Sequence, residues 1–139
     1  GLVHVTQAVL PGMKKRNQGH IINIGSVAGQ QPYANGSVYC ASKAAVASIS
    51  RALVHETVDT DIRVSEINPG MVETEFSVVR FKGDKNKADA VYKGVHPLDG
   101  NDIAETVVFV AGRPDHVNIV EMLVFPTNQS AATTVYRKP

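Results

Sequence analysis

Leu2, Val5, Val9 and Met13 recur at spacings of three and four, the period of a helix with one apolar face. Asn17-Gln18-Gly19 supplies the break that ends it, so the pattern predicts a helix over residues 1–16, with Pro11 tolerable as a kink or near a turn. The period then changes. His20-Ile21-Ile22-Asn23-Ile24 is a short β-branched run between Gly19 and Gly25, which predicts a strand buried on both faces of a parallel sheet. Turn formers fill residues 27–37, and Ser37 is placed to cap a helix reaching about residue 58. Val46, Ile49 and Leu53 form the bulky stripe of that helix, while its alanines serve close packing or simple helix propensity.

Residues 62–67 read as the next strand, stopped by Pro69-Gly70. The stretch 73–96 carries charges, glycine and weak periodicity; its length suggests a mobile functional loop. Residues 99–111 form a helix with an acidic start, closed by Gly112 and Pro114, and 117–125 form a last strand before a polar tail. Helix and strand alternate throughout. The expected fold is a single α/β domain, half of a doubly wound parallel sheet with right-handed crossovers. Ligands in such sheets sit at the C-terminal strand ends, where Ser26 leaves the first strand.

Composition adds limits rather than detail. With 43% hydrophobic and 19% charged residues, the 139-residue chain is ordinary for one globular domain. Its net charge of +1 is spread without a basic stripe, so neither nucleic acid nor a membrane surface is implied as a partner. Lys14-Lys15-Arg16 suits the negative end of a helix dipole. A single cysteine, Cys40, cannot form an internal disulfide, which favours a reducing, cytoplasmic setting and a packing role for that side chain. There is no run of eighteen apolar residues, and the histidines lack metal-ligand spacing, so no metal site is expected.

The candidate chemistry lies in Ser26, Tyr39 and Lys43, followed by Asn68-Pro69-Gly70-Met71-Val72-Glu73-Thr74. Tyr39 and Lys43 stand four apart on a helical run, so both project from one face and the ammonium can stabilise a tyrosinate. Chance alone supplies about 0.23 such pairs in a chain of this composition, and about 0.01 once a serine is required thirteen positions upstream, which disfavours an ordinary surface tyrosine. A free phenol titrates near about 10, so a neighbouring cation is needed to make Tyr39 an acid/base near neutrality. Ser26 can hydrogen-bond a substrate oxygen at the point where charge changes. Pro69 stops its strand, and Gly70 lets backbone pass close to a flat ring. Arg80 and Lys82 are candidates to pair with a substrate carboxylate, against the plainer reading of solvated loop charges.

A serine at a strand end, Tyr-x-x-x-Lys on the next helix and Pro-Gly after the following strand make the chain similar to the short-chain dehydrogenase/reductase family over nearly its whole length. Closer in, Gly-Ser-Val-Ala-Gly at 25–29, the segment 75–84 and His-Val-Asn-Ile at 116–119 resemble the NADP-dependent 3-hydroxy acid dehydrogenases of serine or allo-threonine type. The resemblance implies a Rossmann-like fold and hydride transfer between NADP(H), or alternatively NAD(H), and a small hydroxy acid or its carbonyl form. It further implies that Tyr39 and Lys43 meet the nicotinamide ribose, that Val72 holds the carboxamide through its backbone, and that Thr74 contacts the carboxamide or pyrophosphate. A homo-oligomer, dimer or tetramer, built through helices 1–16 and 37–58 is also implied.

The family's dinucleotide fingerprint, T-G-x-x-x-G-x-G, is not found in this sequence, and Gly1 falls in the middle of a helical pattern. The expectation is therefore the C-terminal half of a Rossmann-like domain, with the family's relay asparagine placed before Gly1 and Asn23 left without that role. Two other readings stand beside the leading one. A carbonyl reductase for another ketone, sugar or steroid would share the mechanism, and a truncated, inactive chain would act only by association.

Overall fold

In the computed structural model, which describes residues 1–139, Asn17 takes a left-handed conformation (φ 50°) and ends α1 (Leu2–Arg16) as the Asn-Gln-Gly signal requires. The helix continues through Pro11, and Lys14, Lys15 and Arg16 occupy its last turn. Behind it come β1 (Gly19–Ile24), a 3-10 turn (Val27–Gly29), α2 (Ser37–Glu56), β2 (Ile62–Pro69), α3 (Glu75–Arg80), α4 (Lys85–Tyr92), α5 (Gly100–Ala111) and β3 (Glu121–Val124). The three strands are parallel in the order β1-β2-β3, with Ile24 opposite Ile67 and Pro69 opposite Val124.

Ile21 of β1, Val64 of β2 and Leu53 of α2 are the buried centre, flanked by Leu10, Met13, Ile49 and Val54. Each buried aliphatic side chain of this kind stabilises the fold by about 2 kcal/mol. Side chains alternate along a strand, so Asn23 and Glu66 share the face of Ile21 and Val64, and Asn23 Nδ2 donates to Ser50 Oγ of α2 at 2.9 Å. Arg63 points the other way and donates to the carbonyls of Ala111, Arg113 and Val117 at the end of α5. Helices thus pack on both faces of the sheet, as a doubly wound fold requires.

Several expectations need correction. β1 is not buried on both faces: Ile21 and Asn23 are covered, His20 and Ile22 are half-buried, and Ile24 is 44% exposed where it lines a cavity at the strand ends. Ser37 does not cap α2; it is the first helical residue, and Gly36 holds the cap position without a side-chain bond. Residues 73–96, expected to be a mobile functional loop, contain two short helices. These are α3, capped by Thr74, and α4, capped by Asp84, each too short to show a clear apolar period. The last strand is shorter than 117–125, since Val117 turns back to bond the Pro114 carbonyl before pairing begins at Glu121. The polar tail folds on itself through a Gln129–Val135 bridge. No helix of the chain is long and apolar enough to cross a membrane.

Candidate active site

The C-terminal ends of β1 and β2 open into a cavity of about 550 Å³, and its wall includes Ser26, Tyr39, Lys43, Pro69, Gly70, Val72, Thr74 and Arg80. Eight of the nine candidate side chains singled out from the sequence therefore meet at one place. Lys82 does not join them; it stands exposed, with a positive φ, beyond the end of α3.

Ser26 ends β1 in an extended conformation and caps the 3-10 turn, its Oγ accepting from the Ala28 N–H at 3.1 Å while its own N–H donates to Asn68 Oδ1 at 2.8 Å. The hydroxyl hydrogen is left without a partner in the chain. Gly29 lets this turn dock on α2. A Cβ there would lie 2.8 Å from the Lys43 backbone carbonyl, so only glycine brings the Ser26 turn this close to the helix that carries Tyr39 and Lys43.

Tyr39 is half-buried, its ring 5.5 Å from that of Phe76, and its hydroxyl makes no hydrogen bond within the chain. Lys43 Nζ donates to the Ile24 carbonyl at 3.0 Å and lies 6.0 Å from the centre of the Tyr39 ring. Burial pulls the Lys43 ammonium below its usual pKa, and the charge of Glu66 opposes that shift. Glu66 is 2% exposed, with Oε1 unpartnered, and burial raises its carboxyl above the ordinary range; an Asn68 hydrogen bond and the charges of Arg51 and Lys43 work against the rise, while Glu121 adds to it. Glu121 is itself held by Arg51, Gln30 and Asn68.

The facing wall is the turn after β2. Gly70 N–H donates to the Val124 carbonyl, Met71 N–H to Gln129 Oε1 at 2.8 Å, and Leu98 pairs with both Met71 and Glu73. Tyr92 Oη donates to the Val72 carbonyl at 3.0 Å and sits 2.6 Å from Ser77 Oγ. After all these bonds the Val72 N–H remains free. The sequence suggested a flat ring as the reason for glycine at 70, but the space its Cβ would take is already filled by Gln129 and the Phe125 ring. Thr74 spends its Oγ1 as acceptor for the Phe76 N–H at the start of α3. Arg80 ends α3 with its guanidinium 5.8 Å from the Tyr33 and Phe81 rings and no ion pair.

Asn68, Glu66, Tyr92 and Gln129 were not recognised as site residues from the sequence. Asn68 sat beside the Pro-Gly signal without a role, and Gln129 lies in a tail with no periodicity to draw attention to it.

A model of the short chain dehydrogenase family matches residues 1–85. The chain belongs to that family. It is 53% identical over 138 residues to an NADP-dependent 3-hydroxy acid dehydrogenase of Schizosaccharomyces pombe, covering 99% of this chain and 53% of the relative. It is 51% identical over 139 residues to the corresponding enzyme YdfG of Salmonella typhi, covering 99% and 56%. Among solved structures, a closed form of serine dehydrogenase complexed with NADP+ superposes with a TM-score of 0.92 at 48% identity, over 99% of this chain and 56% of that one. The chain thus spans about half the length of the curated relatives it matches.

Proposed function

We propose that these residues form the proton-transfer and nicotinamide-facing part of an NADP-dependent dehydrogenase acting on small hydroxy acids. The observation that carries this reading is one cavity lined by two hydroxyls with a free proton, on Ser26 and Tyr39, together with the Lys43 ammonium and Val72, whose N–H is free. A nicotinamide carboxamide has a carbonyl oxygen that a free backbone N–H suits, so the residues present fit the group. Val72 would hold the carboxamide, Thr74 would contact the carboxamide or pyrophosphate, and Tyr39 and Lys43 would meet the ribose. The dinucleotide, when bound, supplies or accepts the hydride. NADP rather than NAD follows from the names of the relatives.

In the oxidising direction Tyr39 takes the substrate's hydroxyl proton, and in the reducing direction it returns it. Ser26 has its hydroxyl hydrogen available to the substrate oxygen because its lone pair, not its proton, is used by Ala28. Lys43, with one donor spent on Ile24, retains two for the Tyr39 side and the cofactor. Arg80, exposed at the cavity rim without an ion partner, is placed to attract a carboxylate. Phe76, Val91 and Ile103 in the same wall support a second reading, reduction of a bulkier ketone. Val5, 62% exposed on α1, and Val38, 83% exposed on α2, support a homo-oligomer through those helices, and the one free cysteine suits the cytoplasm.

The test is turnover by the protein expressed from its complete reading frame, with NADP+ and a 3-hydroxy acid such as serine. Turnover that Arg80→Gln lowers through substrate KM supports the hydroxy acid; activity confined to uncharged ketones removes it and leaves the second reading.

A further inference from the structure

The polar tail contributes three residues to the cavity wall, Gln129, Ala132 and Thr133, although no expectation attached chemistry to it. It reaches that position as a strap. Ala132 N–H donates to Gln31 Oε1 at 2.8 Å on one side of the cavity, while Lys138 N–H donates to the Gly94 carbonyl and Arg137 Nη1 to the Lys93 carbonyl on the other. Just ahead of these anchors in the chain, Gln129 is 7% exposed and uses both ends of its amide. Oε1 accepts from the Met71 N–H at 2.8 Å, and Nε2 donates to the Ala131 carbonyl at 3.0 Å, closing the strap on itself.

That arrangement leaves little freedom to the turn beneath. The Pro69-Gly70 peptide is held by the Val124 carbonyl through the Gly70 N–H, the Gly70-Met71 peptide by Gln129 through the Met71 N–H, and the Met71-Val72 peptide by Leu98 through the Met71 carbonyl. Gly70 must lack a side chain because Gln129 and Phe125 occupy its space, so glycine and glutamine are matched to one another across 59 positions of sequence. The Val72 N–H, left without a partner, belongs to the peptide that Leu98 holds and follows directly on the one that Gln129 holds.

We propose that Gln129 is a positioning residue for dinucleotide binding: its amide oxygen fixes the Met71 N–H, and through it the direction of the Val72 N–H. The proposal rests on the reading of the cavity as a nicotinamide site. A donor already fixed in direction binds without an ordering cost, so loosening the turn weakens the complex without touching the groups that move the proton.

Gln129→Met keeps the volume but removes both hydrogen bonds, and Gln129→Glu keeps an acceptor for Met71. Two readouts are taken on the protein from its complete reading frame. Amide hydrogen exchange at Met71, without any ligand, is expected to speed up at least tenfold in the Met variant with unfolding midpoints unchanged. Equilibrium binding of NADPH is expected to weaken about tenfold in Gln129→Met, the equivalent of losing about 1.4 kcal/mol, and less in Gln129→Glu, while kcat at saturating cofactor stays within about threefold. Wild-type exchange at Met71 in the Met variant, or faster exchange with unchanged NADPH affinity, overturns the proposal while leaving the site reading intact. A Glu variant as weak as the Met variant overturns the assignment to the Met71 bond. Failure of the wild-type protein to bind NADPH overturns the site reading and this proposal with it.

Discussion

Ser26, Tyr39 and Lys43 owe their placement to backbone packing: the Ser26 turn lies on α2 at Gly29, and Lys43 reaches back to the Ile24 carbonyl on the strand that Ser26 ends. The 70–74 turn across the cavity is placed differently, by single side-chain bonds from distant segments, Gln129 to Met71 and Tyr92 to Val72. Besides the reactive side chains, the first wall relies on the Asn68 amide oxygen, which accepts from the Ser26 N–H. The second depends on side chains that touch no substrate, so it can be retuned without altering the proton-transfer groups. Acid/base capacity and cofactor affinity should therefore respond to separate sets of substitutions.

The largest effect should come from the first wall's own chemistry. Tyr39→Phe removes one hydroxyl that makes no bond within the chain, and kcat is expected to fall about 10³-fold. Dinucleotide affinity should stay within about twofold, since the ring and its Phe76 contact remain. Steady-state kinetics and equilibrium binding on the same preparation decide this, and near-normal turnover removes Tyr39 from the acid/base role.

Next in size is a break in the backbone packing. Gly29→Ala drives a Cβ against the Lys43 carbonyl, and should destabilise the fold by about 2 kcal/mol while displacing Ser26 from α2. A lower urea midpoint together with a reduced kcat is expected; a wild-type midpoint would show that the close approach is not needed.

The second wall should answer more gently. Tyr92→Phe deletes the bonds to the Val72 carbonyl and to Ser77 Oγ, at a cost of about 1 kcal/mol each, and should raise the KM for the dinucleotide several-fold with kcat little changed. If kcat falls in step with kcat/KM instead, the separation of the two walls fails.

The smallest expected effect lies beneath both walls, at Glu66. Its carboxyl is raised by burial, so the folded state binds its proton more tightly than the unfolded chain does, and stability falls as pH rises from the unfolded value near 4.5 through the folded one. Glu66→Gln cannot lose that proton. Its stability relative to the natural protein should rise with pH across that window, measured by denaturant unfolding at several pH values; a constant difference would show that Glu66 is not titrating there.

Much of the site was legible in the sequence because its spacings are local. A spacing of four from Tyr39 to Lys43 fixes a shared helical face whatever surrounds them, and a β-branched run between two glycines makes a strand with Ser26 at its exit. The same local logic failed at 73–96, where two helices of six and eight residues are too brief to display a period and owe their starts to Thr74 and Asp84 caps inside a charged stretch. It failed again at β1, since a β-branched strand pattern says that a strand is suited to burial and not whether anything covers it.

By itself the sequence determined the order of α1, β1, α2, β2, α5 and β3, the reactive trio and the Pro-Gly turn after β2, because each follows from residues within a few positions of one another. Only the tertiary structure decided that Gln129 would fill the space Gly70 leaves, that Asn68 would hold the Ser26 N–H, and that a patternless tail would wall the cavity. The physical reason is range: helical and strand periods are set by the backbone over one or two turns, whereas a hydrogen bond between residues 58 apart exists only once the chain between them has folded.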